Sequence, residues 1–564
     1  MGWIGRIVRR GAARVVAAPL RGIHRLRFGK QATLEVAVTS TEDAAGAAAA
    51  VRSLQAAAAD PRVRGVFMRY EDSPGGWATA AELRAAMLNL RACGKRVTFW
   101  APSLDNLGMY LASAADEVSV PELGDVSFTG LGAELLFLGD LLEMLGIEAD
   151  FVAAGAYKSF GEMWTRNSAS PANLEAVELL LHDLQDELTR GVCEGRRLDL
   201  GAVQAAMSEA PLSAARAVEL GLIDRVAYVD EARAPLEEER DLVDFDAWWR
   251  SANRLRWLAG AGISDRVVVV FLEGQVTYEA AEGRAALDAV SAVELLDELG
   301  EDDDVRAVVL VVNSPGGSAL ASDLIWRSVE RVREKVPVVS WFGDVAASGG
   351  YYLAAGTPIV ARPASLTGSI GVFGGKLALG GLARRLGITA QPVTAGEGAL
   401  WDRPFRRFSE AERKRFKRML TATYDAFVRR VAAGRGVAIE QIEPHCQGRT
   451  WSGTSAARVG LVEQLGGLDD AVALALTRAN VAADRVWREH ISLHPRPWWV
   501  TLARSFVGLQ AGVPSSLSAW VEAALAGRPG RRTRDAAVRA AAALEQLHEP
   551  PAALALWTWL RAPR

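Results

Sequence analysis

Cysteine and histidine are scarce in this 564-residue chain, with three of the first and six of the second. Cys93, Cys193 and Cys446 lie too far apart for a disulfide framework and match no zinc spacing. The histidines are scattered as well, so a His-based catalytic or metal centre has little footing, and no metal or cofactor is expected. His445 and Cys446 adjoin, but neighbours in a loop rarely share the geometry of a catalytic pair. Net charge is nearly absent: 64 basic against 68 acidic residues leave −4. That balance gives no global reason to expect nucleic acid as a partner. No apolar run reaches the about 20 residues of a membrane-spanning helix, and none has the form of a signal peptide. The longest charge-free candidate in the C-terminal region, 505–521, carries Gln510, Pro514 and several serines. What is abundant is apolar bulk: 50% of residues are hydrophobic and 23% charged, which permits large cores and excludes wholesale disorder. At roughly 150 residues per domain, length alone suggests about three to four domains.

One segment departs from the balance. Residues 1–30 hold eight basic side chains (Arg6, Arg9, Arg10, Arg14, Arg21, Arg25, Arg27 and Lys30) and no acid, leaving the rest of the chain with 56 against 68, a net −12. Trp3, Ile4, Ile7, Val8, Val15 and Val16 recur near helical period. A basic amphipathic helix of this kind lies in a membrane interface and attracts anionic lipid. The rival reading is a solvated basic tail; a nucleic-acid arm rests on charge alone. The arm is read as 1–31 and as the element that meets a membrane surface.

The chain repeats itself. Ser73-Pro74-Gly75-Gly76 recurs as Ser314-Pro315-Gly316-Gly317, an offset of 241. The same offset pairs Trp100 with Trp341, Gly108 with Gly349, Tyr110 with Tyr351, Gly130 with Gly371, Leu145-Gly146-Ile147 with Leu386-Gly387-Ile388, and Gly155 with Gly396. An offset held without a gap for so long implies two copies of one domain, 32–235 and 264–486. Each opens with a β-rich run (33–38 and 267–271), passes through an Ala/Leu-rich helix, and enters a buried strand (66–70 and 307–312) that feeds the Ser-Pro-Gly-Gly turn. Short apolar strands alternating with helices predict an α/β fold. Between the copies lies an acidic, Trp-bearing connector, 236–263, with Glu237-Glu238-Glu239 and Trp248-Trp249. After them comes 487–564, punctuated by prolines and expected to form short helices. Trp498-Trp499 there reads as part of a packed extension more than as an interfacial anchor.

The copies are most informative where they differ. Ala347-Ser348-Gly349-Gly350-Tyr351 follows a predicted strand, 338–341, and precedes a helical run, so the Ser348 hydroxyl would sit beside helix N-terminal amides that favour negative charge. Its counterpart at the offset is Leu107, which cannot be a nucleophile. In the first copy, Tyr157-Lys158-Ser159 follows a predicted strand, 149–154, and Ser170 and Pro171 read as the N-cap and first residue of the next helix. The counterpart of Lys158 is Ala399. One copy keeps a serine and the other a lysine, so each alone would be catalytically incomplete.

At these residues the chain resembles the long, tandem-repeat signal peptide peptidases of the bacterial Ser–Lys peptidase family. The shared motifs are Asn313-Ser314-Pro315-Gly316-Gly317, Ala347-Ser348-Gly349-Gly350-Tyr351, Leu366-Thr367-Gly368-Ser369-Ile370-Gly371, Tyr157-Lys158-Ser159, and Trp451-Ser452-Gly453 followed by Gly460-Leu461-Val462. The resemblance spans about 32–486. It implies two Clp/crotonase-like domains of ββα units and a homotetramer around a bowl-shaped cavity. It also implies degradation of hydrophobic remnant signal peptides at the bacterial inner membrane. It makes Ser348 the nucleophile, Lys158 the general base, Ser369 the serine that holds the lysine amine, and Gly316 the main oxyanion donor, with Gly317 and Gly349 nearby. In one respect the chain departs: long members carry a spanning helix near the N-terminus, where only the basic arm stands here, so peripheral or weak anchoring is expected.

The chemistry agrees with those residue types. A serine hydroxyl attacks only when a base takes its proton. A lysine of ordinary pKa, about 10.4, is protonated at neutral pH, and burial among apolar neighbours lowers it. Val345 and Leu353 near Ser348, and Tyr157 and Phe160 near Lys158, are compatible with such a pocket. Ser–Lys pairs need no histidine. Two other readings fit the fold class: a crotonase-like acyl-CoA enzyme, for which no adenosine-phosphate site or carboxylate is found, and a catalytically silent membrane scaffold, against which the intact Ser/Lys complement argues.

Overall fold

The computed structural model describes residues 32–493, apart from 42, 239–241, 261, 262, 264, 280–285 and 397. The basic arm and most of the C-terminal extension, Trp498-Trp499 included, lie outside the described residues. Among the described residues, no helix is long and apolar enough to cross a membrane.

The protein is α/β, as its alternating strand and helix signals predict, with one sheet per repeat, parallel throughout in the first and parallel apart from Thr450–Ser452 in the second. In the first sheet the order is Arg225–Val226, Glu117–Val120, Arg96–Trp100, Val63–Tyr70, Ala32–Val38 and Leu242–Asp244. The second repeats that path as Gln464–Leu465, Ile359–Ala361, Val338–Ala347, Val305–Ser314, Arg266–Glu273 and Trp487–Ser492. It also sends a branch from Val338–Ala347 through Leu366–Gly368 to Thr450–Ser452.

These strands form where they do because they are apolar on both faces, the pattern a parallel sheet covered by helices requires. Val268, Val270 and Leu272 point into one core, while Val267, Val269 and Phe271 point into another. In the neighbouring strand, Val308, Leu310 and Val312 join the first set and Ala307, Val309 and Val311 the second. Each such fully buried Val or Leu contributes about 1.5–3 kcal/mol. The helices carry their own start signals. Asp43 caps Ala44–Ala59 by accepting from Gly46 N at 2.6 Å, and Ser409 with Glu412 forms a capping box on Glu410–Arg435. Ser170 accepts from Asn173 N at 3.2 Å with Pro171 at the first helical position, as the sequence predicts.

Two segments differ from expectation. The acidic connector contributes the edge strand Leu242–Asp244 to the first sheet, and its helix Phe245–Gly260 buries Phe245 and Trp248 in the first core. Residues 487–492, expected to open a helical extension, instead form a strand paired in parallel with Arg266–Glu273. Leu242–Asp244 is only three residues long, and Trp487–Ser492 carries Arg488, Glu489 and His490, the polar kind of residue that protects an edge, so neither shows a strand pattern.

The repeats interlock. Val345, Ala347, Ala364 and Leu366 of the second complete the core of the first, and Ala44 of the first packs on the second sheet. The strand Glu148–Ala154 pairs antiparallel with Val372–Ala378 across the repeats. Glu82, buried on the helix Trp77–Ala92, accepts from Arg362 Nε at 2.6 Å and from Leu468 N at 3.3 Å. Burial pushes its carboxyl up in pKa while Arg362 pulls it down. Arg362→Met leaves that carboxylate enclosed without its counter-charge. The expected loss is about 3–5 kcal/mol, read as a lowered urea midpoint of the full chain; a loss below about 1 kcal/mol would show that the pair is not a lock between the repeats.

Candidate active site

Ser348 stands at the end of Val338–Ala347, a strand buried at every position, and directly before the short helix Gly349–Leu353. Its backbone has φ +53° and ψ −117°, a conformation rare for any residue with a Cβ. Two hydrogen bonds hold it there: Ser348 N donates to Gly368 O at 2.8 Å, and Ser348 O accepts from Tyr352 N at 3.0 Å. Against it lies the turn after Val305–Ser314. A side chain at Gly316, where φ is +93°, would come within 2.4 Å of Gly349 N and 3.0 Å of Ser348 Cβ, so only glycine lets the two turns meet.

Lys158 arrives from the other repeat. The cross-repeat pair of strands carries the chain to Gly155, and the loop is then pinned to the second repeat. Tyr157 N donates to Gln447 O at 2.8 Å, and Ala156 N to Gln447 Oε1 at 3.0 Å. Gly448, at φ +78°, passes so close that a Cβ there would lie 2.6 Å from Lys158 Cβ. The lysine amine ends among three oxygens, all of them neutral: Ser348 Oγ at 3.0 Å, Ser369 Oγ at 2.8 Å and Ser369 O at 2.9 Å. Lys158 and Ser348 therefore meet within one chain. The residue keeps some accessible surface, but its amine is enclosed, and burial pushes its pKa down to about 7. Ser369 is itself held at φ +49°, with its amide donating to Arg449 O at 2.7 Å.

The structure thus brings Ser348, Lys158 and Ser369 together, with Gly316, Gly317 and Gly349 alongside. The Gly316 amide, expected to be the main oxyanion donor, donates to Ser314 Oγ at 3.1 Å inside its own turn. Among the described residues, the amides of Gly317 and Gly349 have no such acceptor, and a Cβ built on Gly349 would lie 3.1 Å from Gly317 N. His445 and Cys446 form no pair: burial raises the Cys446 thiol to about 12, and His445 O accepts from Trp451 Nε1 at 2.9 Å. Val345 lies in the first core, and Phe160 packs on Phe373 of the second repeat with ring centroids 4.7 Å apart.

Sequence reasoning passed over Gln447 and Arg449. The Arg449 guanidinium lies 4.8 Å from the Tyr157 ring and 4.5 Å from the Trp451 ring, and it pairs with Glu175 at 2.6 Å. With its carbonyl on Ser369 and its guanidinium over Tyr157, it braces one partner of the Lys158 amine and the loop that carries the lysine. Its nearness in sequence to the Trp451-Ser452-Gly453 motif was the one available signal.

One family profile falls on each of the two repeats. The sequence profile described as Peptidase family S49 matches twice, at residues 89–243 and 330–482. The chain is 30% identical over 441 residues to the chloroplastic serine protease SPPA of Arabidopsis thaliana, covering 76% of this chain and 65% of that one. It is 28% identical over 455 residues to Protease 4 of Haemophilus influenzae, covering 77% and 73%. It is 38% identical over 181 residues to a candidate signal peptide peptidase SppA of Enterococcus faecium, covering 31% and 52%. The chain thus spans a little under two thirds of the Arabidopsis protein's length and about half of the Enterococcus protein's. With one match falling in each repeat and the two together taking in more than half of the sequence, this chain belongs to Peptidase family S49.

Proposed function

We propose that this chain is a serine endopeptidase that cleaves hydrophobic peptides, such as remnant signal peptides, through an acyl-enzyme formed on Ser348 with Lys158 as the base. One observation carries the reading: an enclosed lysine amine, lowered to about 7, within 3.0 Å of a serine hydroxyl on a strained strand-to-helix turn. Family membership and the names of its relatives support the substrate class.

The steps follow from the groups. Neutral Lys158 accepts the Ser348 proton as Oγ bonds to the scissile carbonyl carbon. The amides of Gly317 and Gly349 donate to the oxyanion; a donor of this kind is worth about 2.7–4 kcal/mol in the transition state. The Lys158 ammonium then returns its proton to the leaving amine. Water, activated by the same amine, hydrolyses the ester and frees Ser348. The Ser369 hydroxyl and carbonyl keep the Nζ lone pair aimed at Ser348.

Ser348→Ala and Lys158→Ala, each in folded protein, should lower peptide hydrolysis by about 10⁴-fold or more and abolish fluorophosphonate labelling. Retention of both activities in both variants rules the dyad out. The pH dependence has a fixed sign. The amine works only when deprotonated, and its pKa lies near 7. Below that value kcat/KM should rise about tenfold per pH unit, levelling off above it. A flat profile from about pH 5 to 9, with chemistry limiting, is incompatible with a lysine base.

The finer reading adds a membrane surface, supported by the eight basic residues of 1–30 beside a body of net −12. The full chain should sediment with anionic vesicles at low salt and release at about 0.5 M salt, where charge is screened within a few ångströms. Deletion of 1–30 should abolish binding; unchanged binding would exclude the arm as the contact. Assembly as a homotetramer is part of the same proposal and rests on the family resemblance.

A further inference from the structure

Ser348 and Lys158 are not the sole pair divided between the repeats. At the offset of 241, Asp344 stands opposite Ser103, and Thr79 stands opposite Leu320. The carboxylate is private to the second repeat and the hydroxyl to the first, and the fold brings them together. Asp344 is enclosed on Val338–Ala347, four residues before Ser348. Its carboxylate accepts from Thr79 N at 2.8 Å, Thr79 Oγ1 at 2.7 Å and Gly76 N at 3.0 Å. Gly76 is the N-cap of Trp77–Ala92 and has no side chain to close that helix end. A helix N-terminus of this kind favours an oxygen anion.

Gly75 and Gly76 belong to the Ser-Pro-Gly-Gly turn whose second-repeat copy, Gly316 and Gly317, adjoins Ser348. One turn of glycines therefore has two outcomes. In the second repeat the Gly317 amide is left available beside the serine. In the first, which lost its serine to Leu107, the turn is filled by a carboxylate of the other repeat.

We infer that Asp344 is a positioning residue for Ser348: held by the vacated turn of the first repeat, it registers the end of the nucleophile's strand against the repeat that carries Lys158. The inference rests on the Ser348–Lys158 reading. The strand beyond Asp344 has three residues left before Ser348, so a shift at the carboxylate has little chain in which to dissipate. A misplacement of about 1 Å can cost about 100-fold in rate.

The test uses the full chain with Thr79→Val, Thr79→Ser, Asp344→Asn and Ser348→Ala, each checked for a native circular dichroism spectrum. Fluorophosphonate labelling rate, kcat and KM on one hydrophobic peptide are read at a pH above the Lys158 limb. Thr79→Val and Asp344→Asn should lower labelling and kcat by about 10- to 100-fold with KM within about twofold, and Thr79→Ser should stay near the parent chain. If Asp344→Asn does not fold, Thr79→Val, which removes one bond of three, carries the test. Labelling and kcat of Thr79→Val equal to the parent chain, or a loss confined to KM, overturns the inference while Ser348→Ala remains silent. Labelling of Ser348→Ala at the parent rate overturns the dyad, and the inference with it.

Discussion

A lysine amine held away from water, with no anion beside it among the described residues, is the constraint on which the rest of this structure depends. The three oxygens around Lys158 Nζ belong to two serines and are neutral. A carboxylate in the same place would stabilise the ammonium and raise its pKa. Enclosure alone does the opposite, and it acts only while the enclosing groups stay in contact. The amine belongs to one repeat and its enclosure to the other. Its pKa is therefore set by how tightly two domains are held together.

The contact between the repeats is built to suit that need. Three of its buried carboxylates sit at helix ends. Glu273 of the second repeat accepts from Ala44 N, at the start of a first-repeat helix, and Asp344 accepts from Gly76 and Thr79 at the start of another. Glu82 does the converse, reaching from the first repeat to Leu468 N and Arg362. Each carboxyl is raised in pKa by burial, Glu273 to about 7. Each is offset by backbone amides whose dipoles favour the anion. Directional polar locks fix the register, while the amine sees serine oxygens and the cross-repeat strands. The two jobs, orientation and desolvation, are assigned to different residues.

This division also explains what the sequence made legible. The valine runs announced central strands because both faces of a parallel sheet are buried, so 267–271 and 307–312 needed no tertiary information. Ser348 and Lys158 were visible because each stands against a residue, Leu107 or Ala399, that cannot do its chemistry. Ser369 was found through resemblance alone: its counterpart is Phe128, but one hydroxyl in a turn carries no pattern of its own. Leu242–Asp244 was hidden because three residues carry no period, Trp487–Ser492 because an edge strand keeps polar residues, and the pairing of each is decided by the neighbour it meets. The direction of the Gly316 amide was not legible for a different reason. Which way an amide points depends on backbone angles, and the Ser314 hydroxyl that engages it is common to both copies of the turn, where it predicts nothing.

Splitting the pair has a physical consequence beyond geometry. A single domain with serine and lysine on adjacent loops could close its site early in folding, before its surroundings were packed. Here the serine turn is complete within the second repeat, from the Val305–Ser314 turn to the Gly368 carbonyl. In the structure the lysine reaches that turn on a loop that follows the pairing of Glu148–Ala154 with Val372–Ala378. Exposed to water, a lysine is protonated at neutral pH and inert as a base, and burial is what lowers the Lys158 amine. On the proposed Ser348–Lys158 reading, the contact with the second repeat is therefore what turns an ordinary lysine into a base.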